Sequence, residues 1–309
     1  MSNPISKTIV FLSSAIIMTG CNYLINAVST PMVPEDYQRT VKTGGIIEKK
    51  YLTDGEHSVK YVEQNTDEVF KKYEVWYPET METGNDLYPL IVMLNGTGVA
   101  ASRYKEQFKH FASWGFIVIG TEERESWDAV AAEKSLAYML AENENPSSVF
   151  YHKIDVGNVG AMGHSQGGAG VINAITEMAN SSIYKAAISL SPTNEKQAVS
   201  LKWHYDLSKI AIPIFIAAGT KGSFEMEIVL PTEDMHEMYN KITAPKAMAR
   251  KLDCEHGDML YSTDGYTTAW FMWHLQGDSK AAAAFVGDNP ELLDNTLYTE
   301  QSISDALRL

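Results

Sequence analysis

The sequence predicts an α/β fold, in which one domain forms a mainly parallel central sheet with helices on both faces. Short apolar runs of strand length alternate along the chain with segments whose apolar residues recur at helical spacing. Such alternation is typical of a parallel sheet whose crossover connections are helical. The chain has 309 residues, of which 45% are hydrophobic and 21% charged. It is therefore long enough to bury a full core.

The predicted elements follow one another in a regular order. Residues 89–94 (PLIVML) are apolar throughout, as expected of a central strand that is covered on both faces. Residues 103–114 show the helical spacing of Tyr104, Phe108 and Phe111. The other predicted strands are residues 73–78, 116–120, 156–162, 185–190, 210–218 and 247–252. The other predicted helices are residues 127–141, 169–175, 233–239 and 266–275.

The amino terminus differs in kind from the rest of the chain. Lys7 precedes an apolar stretch, residues 8–18, which is followed by small residues and Cys21. This pattern is typical of a secretory signal, and the stretch is too short to span a membrane comfortably. Its end resembles the lipobox of bacterial lipoproteins, in which the cysteine is lipidated after cleavage. The alternatives are an ordinary signal or uncleaved anchor, and a merely apolar terminus.

These observations divide the chain into three segments. We predict a signal peptide with a lipobox-like end at residues 1–21, a spacer at residues 22–45 and the folded domain at residues 46–309. The protein is then exported, either secreted or tethered to a membrane through lipidated Cys21. Cys254 is the second of only two cysteines. The fold is therefore expected to do without a disulfide.

Charge and composition restrict the partners. The formal net charge of −14 comes from 25 basic and 39 acidic residues. The sequence contains no basic stretch or stripe, which argues against a nucleic-acid partner. The acidity favours solubility and weak repulsion of anionic substrates. No spacing of candidate ligands indicates a metal, and we expect neither a metal nor a cofactor.

One motif indicates a chemical function. Residues 163–167 have the pattern Gly-x-Ser-x-Gly and lie between a predicted strand and a predicted helix. This context is typical of a nucleophile elbow, in which a serine occupies strained backbone. Gly163 and Gly167 would supply the clearance that the turn needs. Ser165 is therefore the candidate nucleophile, and the alternative is a glycine-rich turn with an uninvolved serine.

A serine hydroxyl requires a base, and the base requires an acid that orients it. In hydrolases with this motif the chain order is serine, acid, histidine. His256 follows the last predicted strand and precedes the last long helix, so it is the predicted base. The loop after strand 210–218 contains no aspartate before Asp234. Glu227 is the preferred acid and Glu225 the runner-up, the alternative for both being a solvated surface charge.

An oxyanion pocket would complete such a site. The amide of Gln166, the residue after the candidate nucleophile, supplies one donor. The second is expected from the turn after strand 89–94, where we predict the amide of Thr97. Gly96 and His164 are expected to border the substrate. The alternative is a plain glycine-rich turn between a strand and a helix.

Several segments carry a resemblance to a known family: residues 95–97 (NGT), 111–119 (FASWGFIVI), 151–155 (YHKID), the elbow, 227–231 (EIVLP), His256 and 269–273 (AWFMW). With them the chain resembles the α/β-hydrolase fold, and within it the bacterial cutinase and PET hydrolase-like group. Dienelactone hydrolase-like esterases are neighbours of that group. Its acid usually stands four residues before a proline, as Glu227 stands before Pro231. The group usually has aspartate where this chain has Glu227, an aromatic residue at Thr97 and methionine at Gln166.

The resemblance implies a function for the chain. It implies a serine hydrolase that cleaves small-molecule or polymeric carboxylic esters without a cofactor, in the manner of esterases, lipases and cutinases. Ser165, His256 and Glu227 would form the triad, and the reaction would pass through an acyl-enzyme. Two alternatives remain open. One is an acyltransferase or amidase with the same triad, and the other is a surface lipoprotein that binds ligands on a non-catalytic hydrolase scaffold.

Overall fold

A nine-stranded sheet forms the centre of the computed structural model, which describes residues 32–66 and 69–308. In chain order its strands are β1 (Val59–Asn65), β2 (Lys72–Pro78), β3 (Tyr88–Leu94), β4 (Ile117–Thr121), β5 (Ile154–His164), β6 (Tyr184–Leu190), β7 (Ile214–Gly219), β8 (Lys246–Lys251) and β9 (Tyr298–Ile303). Their spatial order is β1-β2-β4-β3-β5-β6-β7-β8-β9. The six strands from β4 to β8 in this order are parallel, and β1, β2 and β9 add antiparallel edges. The predicted mainly parallel sheet is confirmed.

Helices cover both faces of this sheet. They are α1 (Tyr37–Thr40), α2 (Ile46–Leu52), α3 (Lys105–Ser113), α4 (Val130–Asn143), α5 (Gln166–Thr176), α6 (Glu195–Leu201), α7 (Thr232–Lys241), α8 (Asp264–Gln276), α9 (Ser279–Ala282), α10 (Glu291–Asp294) and α11 (Asp305–Arg308). Single 3₁₀ turns span Glu79–Glu82, Ala101–Arg103, Ser181–Ile183, Leu207–Lys209 and His256–Leu260, and a π-helical turn spans Phe224–Val229. Each predicted strand and helix overlaps an observed one.

The core lies in two layers, one on each face of the sheet. Strand β3 shows why its sequence is apolar without interruption: alternate side chains enter opposite layers, and all of them are buried. One layer includes apolar side chains of α4, α5 and α7. The other includes apolar side chains of α3 and α8. Both faces of the sheet are thereby packed against helices, and the loops at the strand ends lie on this packed layer.

The segment before α2 differs from the prediction. Residues 32–45 were expected to belong to a spacer, yet Val33 and Tyr37 are each 1% exposed. The Val33 amide donates to the Arg103 carbonyl oxygen at 3.0 Å, and the Tyr37 hydroxyl donates to Asp264 Oδ2 at 2.5 Å. The spacer interpretation is wrong for these residues, because their apolar and aromatic side chains complete the core.

The remaining predictions for the amino terminus concern the signal peptide at residues 1–21, Cys21 and spacer residues 22–31, which lie outside the described residues. Across residues 32–66 and 69–308, no helix combines the length and the hydrophobicity that a bilayer crossing requires. Cys254 is a free, partly buried thiol.

Candidate active site

Four loops meet at the carboxyl ends of the parallel strands. They follow β3 at residues 95–98, β5 at Ser165, β7 at residues 220–231 and β8 at residues 252–258. These strands are neighbours in the sheet, with only β6 between β5 and β7. The carboxyl ends of parallel strands form the crevice in which such sheets usually place their sites. We call residues 220–231 the acid loop.

Ser165 occupies a strained turn between β5 and α5. Its backbone angles are φ 59° and ψ −118°, outside the regions that a non-glycine residue favours. A Cβ atom on Gly167 would lie 2.2 Å from the Leu94 carbonyl oxygen, and one on Gly163 would lie 2.3 Å from the Gly167 carbonyl oxygen. No larger residue fits at either glycine without moving backbone. The Ser165 amide donates to the Leu190 carbonyl oxygen at 2.8 Å, which anchors the turn to β6.

His256 is paired with a buried carboxylate of the acid loop. Its Nδ1 lies 2.6 Å from Glu225 Oε2, and the two side chains are 7% and 0% exposed. The other carboxylate oxygen, Oε1, accepts hydrogen bonds from Ser191 Oγ at 2.6 Å and from the Gly219 amide at 2.8 Å. Three donors therefore converge on Glu225, and each of its carboxylate oxygens has a hydrogen-bond partner.

This arrangement keeps the Glu225 carboxylate ionised. Burial raises the pKa of Glu225, but the hydrogen bonds from His256, Ser191 and Gly219, together with the charge of His256, outweigh burial and lower that pKa below its usual value. The carboxylate is therefore ionised at neutral pH. As an ionised carboxylate can only accept a hydrogen bond, His256 Nδ1 carries the proton and donates. His256 Nε2 is buried and forms no hydrogen bond with any residue in the described ranges. With Nδ1 bound to the carboxylate, Nε2 is the ring nitrogen available to take a proton, as a general base requires.

The structure corrects the choice of acid. Glu227 is exposed and Glu225 is buried, because residues two apart on a helical turn point to opposite sides. Both lie in the π-helical turn Phe224–Val229, in which the Leu230 amide bonds back to the Glu225 carbonyl oxygen. The preference for Glu227, based on its distance from Pro231, is therefore wrong. The runner-up, Glu225, is the carboxylate beside His256.

The acid loop is held by a buried arginine, Arg250. This residue was not predicted from the sequence. Arg250, on β8, is 1% exposed. Its Nη1 donates to the Gly219 carbonyl oxygen at 2.6 Å, and its Nη2 donates to the Leu230 carbonyl oxygen. These carbonyls lie at the two ends of the segment that carries Glu225. One guanidinium therefore holds both ends of the acid loop.

The turn after β3 is held in place by hydrogen bonds of Asn95 and Gly96. Asn95 Nδ2 donates to two carbonyl oxygens at the end of β4 and just beyond it, at 2.7 and 2.8 Å. The Gly96 amide donates to the Tyr104 hydroxyl at 2.8 Å, so it is already occupied. Among the described residues, the amides of Thr97 and Gln166 have no acceptor. Both predicted oxyanion donors are therefore free to bind a ligand oxygen.

His164 lies elsewhere than expected. It was predicted to border the substrate, but its side chain is buried, with 1% of the residue exposed. Its Nε2 lies 2.8 Å from the carbonyl oxygen of His256, and the two imidazole rings are 4.5 Å apart. The ring of Phe224 also meets His256 edge-on, at 4.9 Å. The base is therefore packed against both His164 and Phe224.

The arrangement is suited to acyl transfer by a serine nucleophile. It combines a strained serine, a histidine whose Nδ1 is bound by an ionised carboxylate, and two free backbone amides near the serine. In the described part of the chain, no group of three histidine, cysteine, aspartate or glutamate side chains is arranged to hold a metal ion.

Comparison with known proteins gives a consistent result. A model of the PET hydrolase-like (PETase) family matches residues 46–299. Cutinase est1 of Thermobifida alba is 26% identical over 219 residues, which are 67% of this chain and 66% of that enzyme. Cutinase est2 of the same organism is 27% identical over 218 residues, which are 67% of this chain and 65% of that enzyme. The chain thus spans slightly less than two thirds of the length of these relatives.

Proposed function

The chain belongs to the PET hydrolase-like family and has the α/β-hydrolase fold, and we propose on this basis that it is a serine hydrolase of carboxylic esters. The observation that supports the proposal most strongly is the Glu225–His256 pair beside the Ser165 elbow. Family membership alone gives the reaction class. The geometry adds a set of residues suited to that class, with glutamate in the place of the acid.

We assign the roles as follows. Ser165 Oγ attacks the acyl carbon of the ester while His256 Nε2 takes its proton. Glu225 binds Nδ1 and stabilises the imidazolium that forms. The amides of Thr97 and Gln166 donate to the carbonyl oxygen as it becomes negatively charged in the tetrahedral intermediate.

The intermediate then collapses to an acyl-enzyme. The bond between the acyl carbon and the leaving oxygen breaks, and His256 returns its proton to that oxygen, which departs as the alcohol. Water then hydrolyses the acyl-enzyme. His256 takes a proton from the water as its oxygen attacks the acyl carbon, and the bond between that carbon and Ser165 Oγ then breaks. His256 returns the proton to Ser165 Oγ, and the carboxylic acid leaves. The chain's own residues thus account for every proton in the cycle.

The substrate proposal is a carboxylic ester, either a small molecule or a polymer. Both relatives are named cutinases, which supports a carboxylic ester as the substrate. Export, by secretion or through a lipidated Cys21, is proposed from the amino-terminal sequence alone.

The test is the hydrolysis of p-nitrophenyl esters from acetate to palmitate by residues 22–309 and by the Ser165→Ala variant. We expect serine-dependent activity, with the variant slower by about 10³–10⁶-fold. The acyl length at which activity is highest then separates a short-chain esterase from a lipase. A folded Ser165→Ala variant that keeps half of the wild-type rate would refute the assignment, and a folded wild-type chain without activity on any length would argue against ester hydrolysis.

A further inference from the structure

His164 joins the nucleophile to the base. It is the last residue of β5 and is followed directly by Ser165. Its Nε2 lies 2.8 Å from the His256 carbonyl oxygen, and a carbonyl can only accept. Nε2 must therefore carry a proton and donate it. One side chain thus connects the end of β5, directly before Ser165, to the backbone of His256, 92 residues later in the chain.

The surroundings of His164 keep it in this single state. Burial, followed by the charge of His256, lowers the pKa of His164 to about 3. The imidazole is therefore neutral wherever an esterase would be assayed. With Nε2 protonated, Nδ1 holds the lone pair, and this buried atom has no hydrogen-bond partner among the residues described. The other tautomer, with the proton on Nδ1, would be unfavourable for two reasons. The buried Nδ1–H would have no acceptor, and the lone pair on Nε2 would face the carbonyl oxygen of His256.

We propose that His164 is a positioning residue, which sets the distance and orientation between Ser165 and His256 through its Nε2–H donor. The proposal rests on the proposed function, because it assigns a task within that catalytic site. Glu225 fixes the rotation of the His256 ring at Nδ1, and the ring of Phe224 packs against it. His164 holds the His256 backbone through its carbonyl oxygen and also contacts the imidazole ring. Because it stays neutral, it transfers no proton in the reaction.

The first test compares two substitutions. His164→Phe keeps an aromatic ring of similar volume but removes the donor, whereas His164→Gln keeps an N–H donor at comparable reach. We expect His164→Phe to lower kcat on p-nitrophenyl butyrate by about 10- to 100-fold, the range set by the loss of one buried hydrogen bond. KM should stay within about twofold. His164→Gln should recover kcat to within about fivefold of wild type.

The outcomes separate positioning from substrate contact. If His164 bordered the substrate, KM would change with acyl length while kcat stayed the same, and the proposal would be wrong. A folded His164→Phe variant with a kcat within twofold of wild type would also overturn it, as would a His164→Gln variant as slow as His164→Phe. Circular dichroism and thermal unfolding establish that each variant is folded.

A measurement on the wild-type chain keeps the proposal testable even if the variants do not fold. ¹⁵N NMR of the histidine rings should show His164 neutral and protonated on Nε2 from pH 5 to pH 9. A proton on Nδ1, or titration of His164 within this range, would refute the proposal. This readout does not depend on activity. A wild-type chain without Ser165-dependent hydrolysis but with this tautomer would instead count against the proposed function.

Discussion

Replacing Glu225 by glutamine tests the acid of the triad with little change in side-chain size. In the wild type, Glu225 Oε1 accepts from Ser191 and Gly219, and Oε2 accepts from His256 Nδ1 at 2.6 Å. Glutamine has one oxygen, which would remain with Ser191 and Gly219. Its amide NH₂ would then face the Nδ1–H of His256, so two donors would meet.

The His256 imidazole would avoid this contact between two donors by changing its tautomer, so that the proton lies on Nε2 and the lone pair on Nδ1. Nε2 then has no lone pair with which to take the proton of Ser165, and the oriented ring no longer serves as a base. We expect kcat to fall about 10³- to 10⁴-fold, because the corresponding acid-to-amide change in a serine protease triad gives the wrong imidazole tautomer and costs about 10⁴-fold. This is a rise of about 4 to 5.5 kcal/mol in the activation barrier.

The assay is kcat and kcat/KM on p-nitrophenyl butyrate for Glu225→Gln, with Glu227→Gln as the matched control two residues away. Glu227 is exposed, so its variant should retain the wild-type rate within about twofold, since exposed substitutions have small effects. A Glu225→Gln variant with a tenth or more of the wild-type kcat would refute the argument. So would a large loss confined to Glu227→Gln.

Three further substitutions have defined outcomes. Gly167→Ala places a Cβ atom 2.2 Å from the Leu94 carbonyl oxygen, and urea unfolding should show a loss of about 1–3 kcal/mol; an unchanged midpoint would contradict the close packing of the elbow. In Arg250→Lys, the single ammonium group cannot bind both ends of the acid loop. The free energy of unfolding should therefore fall by about 1–3 kcal/mol, and kcat should also fall. Unchanged values of both would show that the arginine is dispensable. Burial, together with the contact to Glu122, raises the pKa of Glu74 to about 7. The folded protein thus keeps a proton that the unfolded chain releases near pH 4.3, and this contribution to stability is lost as pH rises through 7. Glu74→Gln should remove that loss, so its advantage in unfolding midpoint should grow between pH 5 and pH 8; parallel pH curves would contradict it.

The sequence was most informative where a strand or helix is buried on a regular pattern. Strand β3 was predictable because both of its faces are covered, so every residue from Tyr88 to Leu94 is buried. Strands β1 and β9 were missed because they form the edges of the sheet and keep polar, partly exposed side chains. Residues 32–45 looked like a spacer, since little in their local pattern shows that Tyr37 reaches Asp264.

Some residues of the candidate site were predictable from the sequence and others were not. Ser165 and His256 follow from motif and chain order, because strand ends determine where they lie. The choice between Glu225 and Glu227 depends on a π-helical turn, and a count of residues to Pro231 cannot reveal such a turn. The contacts of Arg250 with the acid loop and of His164 with His256 join segments far apart in the chain. Only the folded arrangement shows them.

The most direct test that His256 and Glu225 activate Ser165 is intact-mass and peptide mass spectrometry after treatment with a fluorophosphonate. This reagent forms a stable adduct only with a serine that a neighbouring base activates. We expect one adduct per wild-type chain, on the peptide that contains Ser165, no adduct on Ser165→Ala, and much slower labelling of Glu225→Gln. A folded wild-type chain that remains unlabelled, or one that is labelled at another serine, would contradict the assignment of Ser165 as the activated nucleophile.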